Sequence, residues 1–429
     1  MNVRISDSRE EIIESGTRHC KVRGDVDVVV VGGGPSGVTA AVSAARNGMD
    51  VMLVERYPYL GGQATGGLVL LFIEYDRYEY GIMKETAERI SELPYGIDWI
   101  PRPKLSGERK WVEGWGIWGT YMPPVDPEML KFVYNEMISE AGVKPAFNCL
   151  FADAIVENDV IKGVIIENKE GRQAVLAKVT IDTTGDGDVF AMAGAPFETD
   201  IHPWGTSLSF RVAHVDVDKA RKFRGEMPNV NKKYKELMGK LSGLVKSLMV
   251  WFPTTVKDVV LFFAWDQGLS AISVDDLTKT EIGGRVKAMK TVEFFKKNIP
   301  GFESCNLQDT SPQIGTRESR RVVGDYVLTK QDVLDAKRFP DVIARNVYDL
   351  PYRCLVPKKI ENLLVAGRCV STTHEAQACV RMICPCHATG EVTGTAAALA
   401  VSKNLTPRDI DVSELQKRLI KQNVIIKDL

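Results

Sequence analysis

Hydrophobic positions are densest between Val26 and Val31, where Val-Asp-Val-Val-Val-Val is an almost continuous β-branched run. Such a run predicts a strand buried on both faces, the central kind in a parallel sheet. It runs straight into glycines at Gly32, Gly34 and Gly37. Residues 38–47 are alanine-rich and predict a helix that Gly48 stops. Residues 49–54 predict a second apolar strand, ended by Glu55. Further on, Asp126-Pro127 reads as a cap and first helical residue, opening a helix over 127–141. Residues 144–155, 160–167 and 175–182 predict three strands, the last running into Thr183-Thr184-Gly185-Asp186-Gly187-Asp188. Residues 362–366 form another short apolar strand ending at Gly367, and Gly390 reads as the start of an alanine-rich helix.

The first glycines have the G-x-G-x-x-G spacing, and each has its own mechanical task. Gly32 permits the tight turn, Gly34 lets backbone approach a pyrophosphate, and Gly37 lets the helix pack on the strand. That helix, entered through Pro35 and Ser36, aims N–H groups and its positive dipole end at the phosphates. A carboxylate at the end of the second strand, Glu55, is placed to accept hydrogen bonds from a ribose. An acid there favours FAD or NAD over NADP. The strand, turn, helix, strand and acid arrive in the order that the motif requires.

Between these elements lie two stretches of different character. Residues 74–121 are aromatic and turn-rich, with Tyr75, Tyr78, Tyr80, Tyr95, Trp99, Trp111, Trp115, Trp118 and Tyr121. They read either as an insertion on the domain surface or as rings lining a substrate cavity. Residues 201–306 mix a strand-like piece at 207–215 with lysine-rich helical pieces at 230–246 and 287–298. We read them as a cap domain inserted into the first. The division is then an arm at 1–24, a discontinuous cofactor domain at 25–200 and 307–429, and the cap.

Composition changes this picture little. The 429 residues carry a net charge of −1, with 26% charged and 44% hydrophobic residues. That balance suits a soluble globular protein and gives no support to nucleic acid as a partner. No apolar run is long enough to span a bilayer. Near the start no apolar stretch follows a basic one, and the eight cysteines show no framework spacing, so the expected location is the cytoplasm.

Gly61-Gly62-Gln63-Ala64-Thr65, just after Glu55 and Arg56, resembles the G-G-x-x-T segment of the fumarate reductase and succinate dehydrogenase flavoprotein-like superfamily. Three later blocks resemble the uncharacterised branch of that superfamily known simply as FAD-dependent oxidoreductases. They start at Gln313, Pro351 and Gly390, the second including Gly367-Arg368. The resemblance implies an α/β fold: a Rossmann-like FAD-binding domain, parallel sheet plus β-meander, with an inserted α+β cap. It also implies noncovalent FAD, with the 61–65 loop along the cofactor. Ala152 would border the adenine, and Thr184, Gly185 and Asp186 would lie near the cofactor's middle. Most members have an acid after the strand glycine where this chain has Arg368, so its ribityl contact is expected from elsewhere.

Flavin carries the electron chemistry, and protein groups position substrate and move protons. Arginine forks suit carboxylate-bearing substrates. Arg317, Arg320, Arg321, Arg353, His374 and Arg381 are the candidates, and His374, Arg320 and Arg321 are chosen as the catalytic set. Cys379, Cys384 and Cys386 cluster without a second pair for zinc or an iron–sulfur centre, so they read as buried thiols and no metal is expected. The expected reaction moves hydride to or from a small organic acid or ring compound. Two other readings stay open: a flavoprotein subunit feeding an iron–sulfur or other redox partner, and an FAD-containing hydratase or isomerase. The absence of a second nucleotide motif for NAD(P)H leaves the electron acceptor open, as is self-association.

Overall fold

In the computed structural model the described residues are 19–99, 111–112, 116–117, 122–199, 205–225, 230–246, 251–345 and 348–426. Most of the expected N-terminal arm lies outside them, as do the side chains of Trp111, Trp115, Trp118 and Tyr121.

Strand β1 (Lys21–Val31) is the middle of the main sheet. Helix α1 (Pro35–Arg46) leads to β2 (Val51–Val54), which pairs parallel with β1, Val28 opposite Val51. On β1's other side lies β6 (Gly171–Asp182), also parallel, with Val28 opposite Val179. Paired on both edges and covered on both faces, Val28, Val29 and Val30 have no exposed surface. Each such valine contributes roughly 1.5–2 kcal/mol of burial.

The stretch expected as one strand over 144–155 is two. β3 (Lys144–Ala146) adds parallel to β2, while β4 (Leu150–Glu157) pairs with β5 (Val160–Asn168) at the sheet's opposite end. Asn148 takes a left-handed φ of 55° between them, and the Cys149 amide donates to the Glu55 carbonyl at 3.0 Å. The chain thereby crosses the carboxyl ends of the central strands. The order is β3–β2–β1–β6–β5–β4, and β7 (Leu363–Val365) pairs with the end of β6.

The cap has its own sheet, centred on Thr206–Ala213, with Val260–Asp266 on one edge and Asn306–Thr310 and Gly315–Thr316 on the other. Its strands therefore continue past residue 306. Helix Val274–Asn298, longer than the piece expected at 287–298, covers it, and Phe210, Phe262, Phe295 and Phe302 fill the space between. A two-stranded ribbon closes the insertion, Phe197–Thr199 against Arg320–Val322, with Thr199 opposite Arg320.

Helix α2 (Ile383–Lys403) lies against α1. It begins well before Gly390, so the expected helix start is corrected. Pro385 stands in the first turn, where a missing N–H costs nothing. The two helices touch through small side chains. Thr39 Oγ1 donates to the His387 carbonyl (2.9 Å), and Ser43 Oγ to that of Glu391 (2.9 Å). A β-carbon on Gly390 or Gly394 would collide with α1 backbone. Gly394→Leu should therefore cost about 2–3 kcal/mol through overpacking, read as a lowered urea midpoint with unchanged m-value.

Glu391 is buried on α2 and accepts the Ile82 N–H at 2.9 Å. Burial pushes its carboxyl up to about 8. Between the ordinary carboxyl pKa and that value the folded chain holds a proton that the unfolded chain releases, so stability falls as pH rises. Glu391→Gln keeps the acceptor. It should stabilise the protein at pH 8 by about 1–3 kcal/mol relative to pH 6, measured by urea unfolding at both pH values.

Candidate functional site

A cleft opens at the carboxyl ends of β1, β2 and β6 and runs beneath the cap. Gly32, Gly34, Pro35 and Ser36 form its floor at the start of α1. No side chain caps that helix, and a β-carbon built on Gly34 has nothing within 4 Å, so its N–H groups face open space. Gly37 instead faces inward, where a β-carbon would strike the Gly32 carbonyl, as helix–strand packing requires. Glu55 lines the cleft, its Oε2 accepting the Gly33 amide (2.5 Å) and its Oε1 that of Tyr57 (2.8 Å). Burial raises its carboxyl above the usual range, while those amides pull the other way.

Asp182 shapes the next wall. Its carboxylate accepts Thr184 N and Oγ1 (3.0 and 2.7 Å) and the amides of Val189 and Phe190 (3.1 and 3.0 Å). This folds the loop that presents Thr183, Thr184 and Gly185 to the cleft. Arg368 lines it too, and Asp186 stands behind as its partner at 2.7 Å, with Ser319 bonded to both. Burial alone would raise the Asp186 carboxyl; Arg368 and Arg56 outweigh it and hold it below its usual value. Asp186 therefore neutralises the arginine that follows Gly367 and does not itself line the cleft.

Arg56, Gly62 and Gln63 line the cleft, whereas Ala64 and Thr65 shape their loop, Thr65 Oγ1 donating to the Leu60 carbonyl (2.6 Å). The crossing segment contributes Cys149, Leu150 and Phe151 rather than Ala152. Gly367 and Gly390 lie beneath the surface: the Gly367 amide donates to Thr389 Oγ1 (3.0 Å), and Gly390 packs on α1.

The far end lies between the cap sheet and the start of α2. Phe252, Phe263, Val69, Leu71 and Ile73 form apolar walls, and Ser207, Gln313, Arg317 and Arg381 supply polar groups. Met382 and Ile383 bring a second helix start, again without a side-chain cap. Tyr75, Tyr78 and Tyr80 are buried in the main core instead, and Tyr95 and Trp99 are exposed. Of the three cysteines Cys386 reaches the cleft, and no metal-binding cluster occurs among the described residues.

His374, Arg320 and Arg321 do not appear among the described lining residues. Arg320 binds Asp188 (2.9 Å) and the Asp186 carbonyl (3.1 Å). Arg321 binds Glu318 and the Thr372 carbonyl (3.0 Å). His374 opens a helix, His374–Val380, where a polar loop was expected, and its Nδ1 lies 2.6 Å from Glu318 Oε2. The structure gathers all of these around acids of the cofactor domain. Arg317 and Arg381, from the same candidate group, face the cleft.

Fold and cleft together define a dinucleotide-binding α/β protein with a cap. The chain belongs to the FAD dependent oxidoreductase family, whose model matches residues 27–350 and 344–419. Over 170 residues it is 28% identical to a thiamine thiazole synthase of Methanococcus maripaludis strain C7, covering 38% of this chain and 56% of that protein. It is also 28% identical over 196 residues to digeranylgeranylglycerophospholipid reductase 2 of Methanothermobacter thermautotrophicus strain Delta H, covering 45% and 48%. The chain thus spans about half the length of these curated relatives. A geranylgeranyl bacteriochlorophyll reductase-like structure from Thermoplasma acidophilum shares the fold, with TM-score 0.54, 14% identity, and 93% and 84% of the chains covered. So does p-nitrophenol 4-monooxygenase PnpA of Pseudomonas putida DLL-E4, with TM-score 0.52, 13% identity, and 92% and 85% covered.

The cofactor is FAD, and the residues present fit it. The uncapped α1 start and the open space at Gly34 suit a diphosphate. No helix among the described residues is long and apolar enough to cross a membrane. Gly34→Ala fits the protein alone but fills the space a phosphate must enter. It should leave the thermal midpoint of flavin-free protein unchanged and weaken FAD binding at least about tenfold by fluorescence titration.

Proposed function

We propose that the protein moves a hydride to or from a small organic acid or ring compound, in the cytoplasm, with FAD held noncovalently. One observation carries this reading. The cleft continues without interruption from the α1 start to an apolar chamber that holds arginines, under the cap. Bound FAD supplies the two-electron chemistry. Phe252, Phe263, Leu71 and Ile73 would keep water from the reacting atoms, which strengthens every charge interaction there. The uncapped α2 start at Met382 and Ile383 would stabilise negative charge developing beside it. Ser207, Gln313 and Arg317 would orient the substrate from the cap side.

We also place the chain beside the fumarate reductase-like flavoproteins, on the strength of its 61–65 loop. For His374, Arg320 and Arg321 we propose a positioning role. The Glu318 carboxylate ties Arg321 and His374 to the element that carries Arg317. One curated relative is a reductase, which favours net redox chemistry over hydration.

The test is the visible spectrum of purified protein, then anaerobic photoreduction and readmission of air. A yellow protein whose flavin bleaches and recovers is the expected outcome, and heat should release the flavin into solution. Colourless protein that cannot be reconstituted with FAD would overturn the reading. Substrate turnover without any bleaching would replace it with a hydratase.

A further inference from the structure

Arg317 lines the cleft without a carboxylate partner among the described residues. Its Nη1 donates to Ser207 Oγ (3.2 Å), and its guanidinium lies 4.4 Å from the centre of the Trp265 ring. Its backbone carbonyl accepts Gln377 Nε2 at 3.1 Å. A half-buried cation fixed in this way in a cleft is stabilised when an anion meets it. Burial, reinforced by the like charge of Arg381, pushes its pKa down to about 9, a cost that a bound anion would remove.

Beside it stands an acceptor of known identity. Gln63 Nε2 donates to the Ile314 carbonyl at 3.0 Å. A carbonyl only accepts, so the other atom of that amide must be the oxygen. Among the described residues that oxygen is buried without a hydrogen-bond partner, as is Gln313 Oε1, on a side chain nine-tenths buried. Gly315 joins the two features. A β-carbon there would lie 2.8 Å from Ser207 Oγ, which binds Arg317, and 3.7 Å from Gln63 Oε1. The serine that binds Arg317 and the Gln63 carbonyl therefore both lie close against Gly315.

We infer that this end of the cleft takes a carboxylic acid bearing a hydroxyl or N–H donor near the acid group. The carboxylate lies on Arg317, the donor meets Gln63 Oε1 with Gln313 Oε1 in reserve, and an apolar body lies between Phe252 and Phe263. This deepens the proposed function and rests on it for the identity of the neighbouring cofactor. A neutral molecule would leave Arg317 uncompensated, and an acid without a donor would leave Gln63 unsatisfied.

Titration calorimetry on the FAD-loaded protein with mandelate, phenylacetate and mandelamide tests this without depending on flavin colour. Mandelate should bind at least about tenfold tighter than either of the others. Arg317→Met should weaken mandelate about 100-fold and Arg317→Lys by less, both keeping wild-type FAD content. Mandelamide binding as well as mandelate, or no binding of any of the three at about 20 mM, would overturn the inference. So would an Arg317→Met protein that loses FAD but still binds mandelate, which would give Arg317 to the cofactor's phosphates. Colourless wild-type protein that binds mandelate would sink the flavin reading and leave the anion site standing.

Discussion

The site depends on how closely α1 and α2 approach one another. Thr39, Ser43, Gly390 and Gly394 keep the contact between them thin, and hydroxyl-to-carbonyl bonds staple it. Both helices begin at the cleft, and neither start has a side-chain cap. Two sets of unpaired N–H groups are thus held at a fixed separation, one suited to phosphates and one to charge at the reacting end. Larger residues at the contact would spread the two starts apart before they unfolded anything.

Electrostatics in the cleft follow a division of labour between buried acids. Asp182 is spent on backbone amides and shapes a loop. Asp186 neutralises Arg368, and Glu318 neutralises Arg321 while touching His374. Once these pairs are made, a positive charge on the cap side, Arg317, remains to meet something brought in from outside. Partial burial sharpens this, because a partly desolvated charge discriminates between an anion and a neutral molecule.

The cofactor end was legible in the sequence because its motif is local. Gly32, Gly34, Gly37 and Glu55 sit within one strand–helix–strand unit, and their roles follow from chain geometry alone. The break at Asn148 was not legible: two β-rich segments only three residues apart give one continuous pattern, although they join opposite ends of the sheet. The early start of α2 was hidden by Pro385, which reads as a breaker unless the first turn is recognised. Choosing among Arg317, Arg320, Arg321 and His374 was beyond a linear reading too. All four neighbour acids or turns in sequence, and only the fold decides which acid reaches which base. The cleft-wall rings Phe252 and Phe263 carried no signal beyond that of ordinary cap core.

The ribbon of Phe197–Thr199 and Arg320–Val322 has a consequence for how such proteins diversify. The cap leaves and rejoins the cofactor domain at two directly paired residues, Thr199 and Arg320. Its ends are already together, so exchanging it for a segment of another length adds little loop-closure entropy. The cap is in that sense a transplantable cassette, and replacing it leaves the cofactor-binding part of the fold unchanged.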